Sequence, residues 1–262
     1  MTPAIPFADD DIIQQAVGRL RQARSIAVFT GAGVSAESGI PTFRDARKGL
    51  WARFNPADLA SCEAFNRDPE HVSQWYDQRR GDVARCKPNP GHLALARLQQ
   101  AAARHRQTFA LITQNVDRLH QAAGSTSVIE LHGSLWVWRC LACGAEIEER
   151  GPAFPSYPPR CRCGGLRRPA VVWFGESLPP AAWAAAEHAA QACDYFMSIG
   201  TSAEVYPAAG LIEQALRAGA AVLEINPQPT ALSDQATWSL RRKSGEVLPA
   251  IVAQAWPNDA GV

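Results

Sequence analysis

Apolar residues in this chain fall into two alternating rhythms. Short, nearly continuous apolar runs recur at Ser25–Thr30 (SIAVFT), Phe109–Thr113 (FALIT), Tyr195–Ile199 (YFMSI) and Ala221–Ile225 (AVLEI), with a weaker one at Val128–Leu131 (VIEL). Runs of this length with no polar face read as strands buried on both sides. Between them the apolar positions repeat every three to four residues. Residues 10–23 place Ile12, Ile13, Val17 and Leu20 on one helical face, and Gly91–Ala103, Ala181–Ala192 and Pro207–Ala218 follow the same period. Strands alternating with helices predict an α/β fold, a doubly wound parallel sheet covered on both faces. Two stretches break the pattern. One has tryptophans, prolines and arginines but no strand signal; the other is dense in Cys, Pro, Gly and Arg and too small for a core of its own. The expected division is a main nucleotide-binding domain from 1–45, 107–134 and 169–262, an inserted helical module at 46–106, and a small lobe at 135–168.

Composition narrows the partners. With 262 residues and 47% hydrophobic content the chain can bury a sizeable core. The 26 Lys+Arg against 25 Asp+Glu leave a net charge of +1, so no global basic field exists to hold nucleic acid or anionic lipid. No apolar run approaches the roughly 20 residues needed to cross a bilayer. The start, MTPAIPFADDD, lacks the basic-then-apolar pattern of a secretion signal. A cytoplasmic location is expected, with no membrane partner and no nucleic-acid partner. The seven cysteines are an odd number, which with no export signal argues against a disulfide framework.

Candidate chemistry gathers at the ends of the predicted strands, where open α/β sheets bind ligands. After the first strand, Gly31-Ala32-Gly33 opens a glycine-rich turn suited to a pyrophosphate. A dehydrogenase would need an acid about 20 residues on, ending a second strand; none occurs between Asp45 and Asp58. After the second strand, Gln114, Asn115 and Asp117 offer amide and carboxylate groups, although such residues also cap helices. Gly200, Thr201 and Ser202 end a later strand and are expected to start a helix, a second phosphate-binding turn. Of the six histidines, His71, His92, His105 and His188 read as structural, and His120 as packed on the helix after Gln114. His132 instead sits at an element end beside Gly133, where a titratable imidazole suits general-base work.

Four cysteines cluster. Cys140-x2-Cys143, seventeen residues, then Cys161-x-Cys163 provide four soft ligands for one closed, structural zinc. The second pair is one residue tighter than an ordinary zinc-ribbon knuckle. A redox-active cluster or one that has lost its metal is the competing reading. The five arginines flanking the lobe (Arg139, Arg160, Arg162, Arg167, Arg168) read as solvating it.

Five ordered segments carry a family resemblance: GAGVSAESGIPTFR at 31–44, TQNVDRLH at 113–120, LHG at 131–133, VVWFGE at 171–176 and GTSAEVYPA at 200–208, with Asn226 in EIN. From about residue 11 to 254 the chain resembles the sirtuins, NAD-dependent protein-lysine deacylases. The resemblance implies that NAD is a co-substrate, held by Gly31, Ala32, Gly33, Ser35, Phe43, Arg44, Gln114, Asn115, Asp117, Gly200, Thr201, Ser202, Asn226 and, less directly, Ser244. It makes His132 the catalytic base, has Asn115 position water and ribose, and has Phe43 shield the intermediate. Nicotinamide and O-acyl-ADP-ribose would be the products. Val172, Phe174, Gly175 and Glu176 would form the edge that takes an acyl-lysine protein substrate in extended conformation.

In WYDQRR (75–80), Tyr76 and Arg79 match the Y-x-x-R that receives an acidic acyl chain in one sirtuin class, here of the bacterial desuccinylase and demalonylase type. A guanidinium pairs bidentately with a carboxylate, so succinyl- or malonyl-lysine is the preferred expected substrate; a simple acetyl group would not need the pair, but acetyl-lysine stays a further candidate because a vacant arginine site can remain hydrated. The adjacent Arg79-Arg80 leaves the register open. An ADP-ribosyltransferase on the same pocket, or a non-catalytic NAD-binding zinc-ribbon adaptor, are the alternatives.

Overall fold

The computed structural model describes residues 9–42 and 56–259. From the N-terminal side the chain forms α1 (Asp9–Gln22), β1 (Ser25–Thr30) and the short α2 (Ala32–Ala36), then α3 (Pro56–Leu59), α4 (Cys62–Arg67), α5 (Pro69–Ala84) and α6 (Pro90–Arg104). It continues through β2 (Thr108–Thr113), α7 (Leu119–Ala122), β3 (Val128–Glu130), β4 (Gly133–Cys140), β5 (Glu146–Glu148) and β6 (Arg167–Val171). The remainder is α8 (Pro180–Ala192), β7 (Tyr195–Ile199), α9 (Gly210–Arg217), β8 (Ala221–Ile225), β9 (Trp238–Leu240) and α10 (Ser244–Ala255).

Six strands form a parallel sheet in the order β3-β2-β1-β7-β8-β9. The order reverses between β1 and β7, and this is the topological switch point of a doubly wound sheet. Successive side chains of β1 explain why its sequence is continuously apolar. Ile26 and Val28 enter one core with α1, α6 and α10, whereas Ala27 and Phe29 enter a second core with α8 and α9. The helix at 90–104, grouped by sequence with the inserted module, packs in the first of these cores through Ala94, Leu95, Leu98, Ala101 and Ala102.

A three-stranded antiparallel sheet, β5-β4-β6, forms the cysteine lobe. None of these strands was expected, and neither was β9. The lobe and the helical module are not separate bodies. Phe65, Val72, Trp75 and Tyr76 from the helices share one buried cluster with Leu135, Trp138 and Trp173, so each supplies what the other lacks for a core.

The helix expected from Pro207 begins at Gly210. Gly200-Thr201-Ser202 therefore starts a loop rather than a helix. Gly200 and Ala203 both hold left-handed backbone there (φ 61° and 57°), which a helix cannot continue.

Candidate active site

Three loops converge where the sheet changes direction: those after β1, β2 and β7. The glycines of the first and third pack on each other. Gly33 N–H donates to Gly200 O at 2.8 Å, and Gly31 N–H donates to Ile199 O at 3.1 Å. A Cβ on Gly33 would lie 2.7 Å from Gly200 O, and one on Gly200 would lie 2.4 Å from Val34 N. Backbone approaching backbone is thus one reason for both glycines. Gln114 Nε2–H reaches across to Thr201 Oγ1 at 2.9 Å. Ala32 opens α2, whose first turn follows β1 directly.

Between these loops lies a buried polar cluster. Ser35 Oγ–H donates to Asp117 Oδ2 at 2.7 Å. Asn115 Nδ2–H donates to Gly31 O at 3.0 Å and to Ser35 Oγ at 3.2 Å. Leu119 N–H donates to Asp117 Oδ1 at 2.8 Å. Burial pushes the Asp117 carboxyl up, while these two donors and the Arg79 charge oppose the shift. At the rim, His132 Nδ1 lies 3.0 Å from the Gln114 carbonyl. A carbonyl only accepts, so Nδ1 carries the proton and Nε2 the lone pair. Burial holds the His132 pKa below that of an ordinary imidazole.

Asn226 and Ser244 stand farther along the sheet. Asn226 Nδ2–H donates to Gln228 O at 2.8 Å. Ser244 donates to Glu37 Oε1 at 3.3 Å, and Gly245 N–H donates to the same oxygen at 2.9 Å, so Glu37 ties the start of α10 to the first loop. Phe43 and Arg44 lie outside the described residues.

The expected peptide edge differs from a free strand. β6 ends at Val171. Beyond it Val172 N–H donates to His132 O and Phe174 N–H to Ala60 O, both at 2.9 Å, while Trp173 N–H donates to Glu176 Oε2 at 2.8 Å. Glu176 also forms an ion pair of 2.7 Å with the buried Arg168, so its carboxylate helps to shape this loop. Gly175 turns the loop, and Phe174 stands 57% exposed beside it.

Tyr76 and Arg79 lie on one face of α5. Tyr76 is buried, and its Oη accepts from Trp173 Nε1–H at 2.9 Å; burial pushes its phenol up to about 12. The Arg79 guanidinium lies 4.8 Å from the Trp75 ring centroid, and its field reaches Tyr76 and Asp117. Arg80 points elsewhere. It pairs with Asp77 at 2.8 Å and donates to the carbonyls of Glu149, Gly151 and Pro152, which fastens α5 to the cysteine lobe.

The four cysteine sulfurs lie within 4.8 Å of one another, with Cys140–Cys163 at 3.5 Å and Cys143–Cys161 at 3.7 Å. Tetrahedral zinc with Zn–S bonds of about 2.3 Å needs sulfurs about 3.8 Å apart, so the donor set fits the ion. The short C-x-C knuckle closes because Gly164 takes a left-handed conformation (φ 88°) and Gly165 tucks under the sulfurs, where a Cβ would lie 2.9 Å from Cys140 Sγ. Cys161 N–H then donates to Gly165 O at 2.8 Å. The N–H groups of Cys143 and Ala142 draw the Cys140 thiol down to about 6, which favours the thiolate a metal requires.

Sequence reasoning overlooked Thr30, Asn89, Thr113 and the placement of His92 and His120. Thr30 Oγ1–H donates to Thr113 Oγ1 at 2.8 Å, and His120 Nε2 lies 3.0 Å from Thr30 Oγ1. The available signal was PNPGH at 88–92, an asparagine cap followed by proline at the first helical position.

A doubly wound sheet with polar loops gathered at its switch point, joined to a four-cysteine lobe, defines a nucleotide-binding α/β protein with a small accessory domain. Comparison with known proteins is specific. The Sir2 family model matches residues 31–207, and the chain belongs to that family. It is 48% identical over 256 residues to an NAD-dependent protein deacylase of Ralstonia nicotianae, covering 95% of this chain and 100% of the relative. A Sir2 homologue solved in complex with NAD superposes with a TM-score of 0.87 at 43% identity, covering 94% and 95% of the two chains. A Sir2 protein solved with a p53 peptide and NAD+ superposes with a TM-score of 0.79 at 30% identity, covering 92% and 98%.

Proposed function

We propose that this chain is an NAD-dependent protein deacylase that removes acidic acyl groups, succinyl or malonyl, from lysines. The buried Ser35–Asn115–Asp117 cluster, beside a neutral His132 whose basic nitrogen is fixed as Nε2, supports the deacylase reading. Asn115 and Asp117 orient the nicotinamide ribose of the co-substrate, and His132 Nε2 accepts a proton from a ribose hydroxyl. The loop after β7 and Asn226 hold the remainder of NAD. The acyl-lysine enters along the 172–175 loop. Zinc, held by Cys140, Cys143, Cys161 and Cys163, supplies structure; with four protein ligands it keeps no open position for chemistry.

The observation that carries the acyl preference is the division of labour on α5. Arg80 is taken up by the carbonyls of Glu149, Gly151 and Pro152, whereas the Arg79 charge interacts with Tyr76 and Asp117. Tyr76 accepts from Trp173 and retains its own proton to donate to an acyl carboxylate. Mass-spectrometric assay of succinyl-, malonyl- and acetyl-lysine peptides with NAD tests this. Arg79→Met is expected to lower kcat/KM on the two acidic substrates by roughly 100-fold, the order of a lost charge-assisted pair, and on acetyl-lysine by less than about threefold. Equal loss on all three would assign Arg79 to the fold instead. ADP-ribose on the target with acyl-lysine intact would overturn the deacylase reading itself.

A further inference from the structure

Residues 115–118 lead from β2 to α7, and the last of them holds a conformation that side-chain-bearing residues rarely take. Arg118 lies in the left-handed region (φ 60°, ψ 24°), where Cβ crowds the following carbonyl. Such a conformation persists where the surrounding structure imposes it. Here the surroundings are ionic. The Arg118 guanidinium donates through Nε to Glu130 Oε1 at 3.1 Å and through Nη2 to Glu130 Oε2 at 3.3 Å. Its Nη1 pairs with Glu148 Oε1 at 3.1 Å. Glu130 ends β3, two residues before His132, and Glu148 ends β5 in the cysteine lobe. The Arg118 and Glu130 side chains are only 19% and 20% exposed, so this two-pronged pair is shielded as a surface ion pair is not.

The two preceding residues are held from the same side. Leu135 N–H donates to Val116 O at 3.0 Å, and Trp136 Nε1–H donates to Asp117 O at 2.9 Å. Both donors belong to β4, which starts at Gly133 directly after His132. These bonds fix the carbonyls of 116 and 117 but leave the turn after Asp117 to residue 118. That turn is what brings Leu119 N–H back to Asp117 Oδ1 at 2.8 Å. Were residue 118 to relax to right-handed backbone, Leu119 N–H would swing away and the carboxylate would lose this donor.

We propose that Arg118 is a positioning residue: by bridging Glu130 and Glu148 it imposes the left-handed turn that aims the Asp117 carboxylate into the site. The bridge joins the strand leading to His132, the loop carrying Asn115 and Asp117, and the cysteine lobe. Its guanidinium is occupied by the two carboxylates, so Arg118 acts through Asp117. The inference rests on the reading of Asn115 and Asp117 as the groups that orient the nicotinamide ribose.

Substitutions at 118 separate the turn from the charge. Glycine takes left-handed backbone freely and asparagine tolerates it, whereas alanine resists it. In the full-length, zinc-loaded protein, nicotinamide release is followed with NAD and an acyl-lysine peptide. The peptide is whichever of the succinyl, malonyl and acetyl forms the wild type turns over fastest. Arg118→Ala is expected to lower kcat by about 10-fold, with the peptide KM within about twofold of wild type. Arg118→Gly is expected to recover at least about threefold of that loss, and Arg118→Asn an intermediate amount, although all three lack the guanidinium. Glu148→Gln is expected to lower kcat by about threefold in the wild-type background and by less than about 1.5-fold in Arg118→Gly, because the bridge acts as a unit. An unimpaired Arg118→Ala enzyme, a glycine variant no faster than the alanine variant, or an equal Glu148→Gln loss in both backgrounds overturns the proposal. The Glu148→Gln comparison needs no alanine variant, and it decides the matter should Arg118→Ala fail to fold. A wild type that releases no nicotinamide from NAD refutes the deacylase reading instead. Titration calorimetry with NAD then tests Arg118, with binding expected to be about threefold weaker in Arg118→Ala and restored in Arg118→Gly; equal affinities in the wild type and Arg118→Ala overturn its role.

Discussion

His132 shows how a single contact sets a residue's chemistry. The Gln114 carbonyl accepts a hydrogen bond from Nδ1–H and so leaves Nε2 basic, while burial lowers the pKa from the ordinary 6.5. In the proposed role the neutral ring is the base, and a lowered pKa keeps it neutral in more acidic solution. The acid-side inflection of kcat/KM is therefore expected below pH 6.5, measured by nicotinamide release across a pH series; an inflection above 6.5 would contradict the assigned environment. At Arg80 the expected effect concerns stability. Its side chain and that of Asp77 are 3% and 0% exposed. Arg80→Met would leave a buried carboxylate whose remaining donors are Phe154 N–H and Tyr157 Oη–H, at a cost of about 3–5 kcal/mol, read by denaturant unfolding.

At the scale of elements, what could be read from sequence was what local periodicity encodes. The four strong apolar runs became β1, β7, β8 and, within a residue, β2, because a parallel strand covered on both faces needs apolar side chains at every position. β9 escaped notice since Trp238 and Ser239 are only half-buried and it spans three residues. β4 and β6 carry arginines, and Arg167 and Arg168 are buried by bonds to distant carbonyls and to Glu176, a pairing no local pattern announces. His132, Asn115 and Asp117 were legible through their motifs. The placement of His92 was not, because its contact with Ser35 joins residues 57 positions apart. The cysteine knuckle lies between these cases. Its spacing announced a metal, yet closure depends on Gly164 and Gly165. Cys161→Ser is expected to abolish the bound zinc, counted by elemental analysis as one per chain in the wild type. It is also expected to lower Tm by on the order of 10 °C.

Across the whole molecule, the small domain is a joint product of two insertions. Trp138 from the cysteine lobe packs with Phe154 and with the cluster containing Trp75 and Tyr76. Chelation of zinc should therefore impair acyl-lysine turnover as well as the lobe, because Tyr76 and Arg79 stand on a helix that shares its core with the metal site; activity and zinc content are expected to fall together during titration with chelator. The large domain has its own two cores on either side of the sheet, and its unfolding should remain cooperative after metal loss.

The interlocked turns after β1 and β7 also set a limit on the evolution of the site. At Gly33 and Gly200 the nearest atoms a new side chain would strike are all main chain: Gly200 O, Cα and C for one, Val34 N with Gly33 C and Cα for the other. A clash with a side chain can be relieved by trimming that side chain elsewhere in the gene. A clash with the peptide backbone offers nothing to trim. Genetic suppressors of substitutions at either glycine should accordingly be absent from selections that readily return second-site revertants of ordinary core mutations, and the two positions can drift only by reverting.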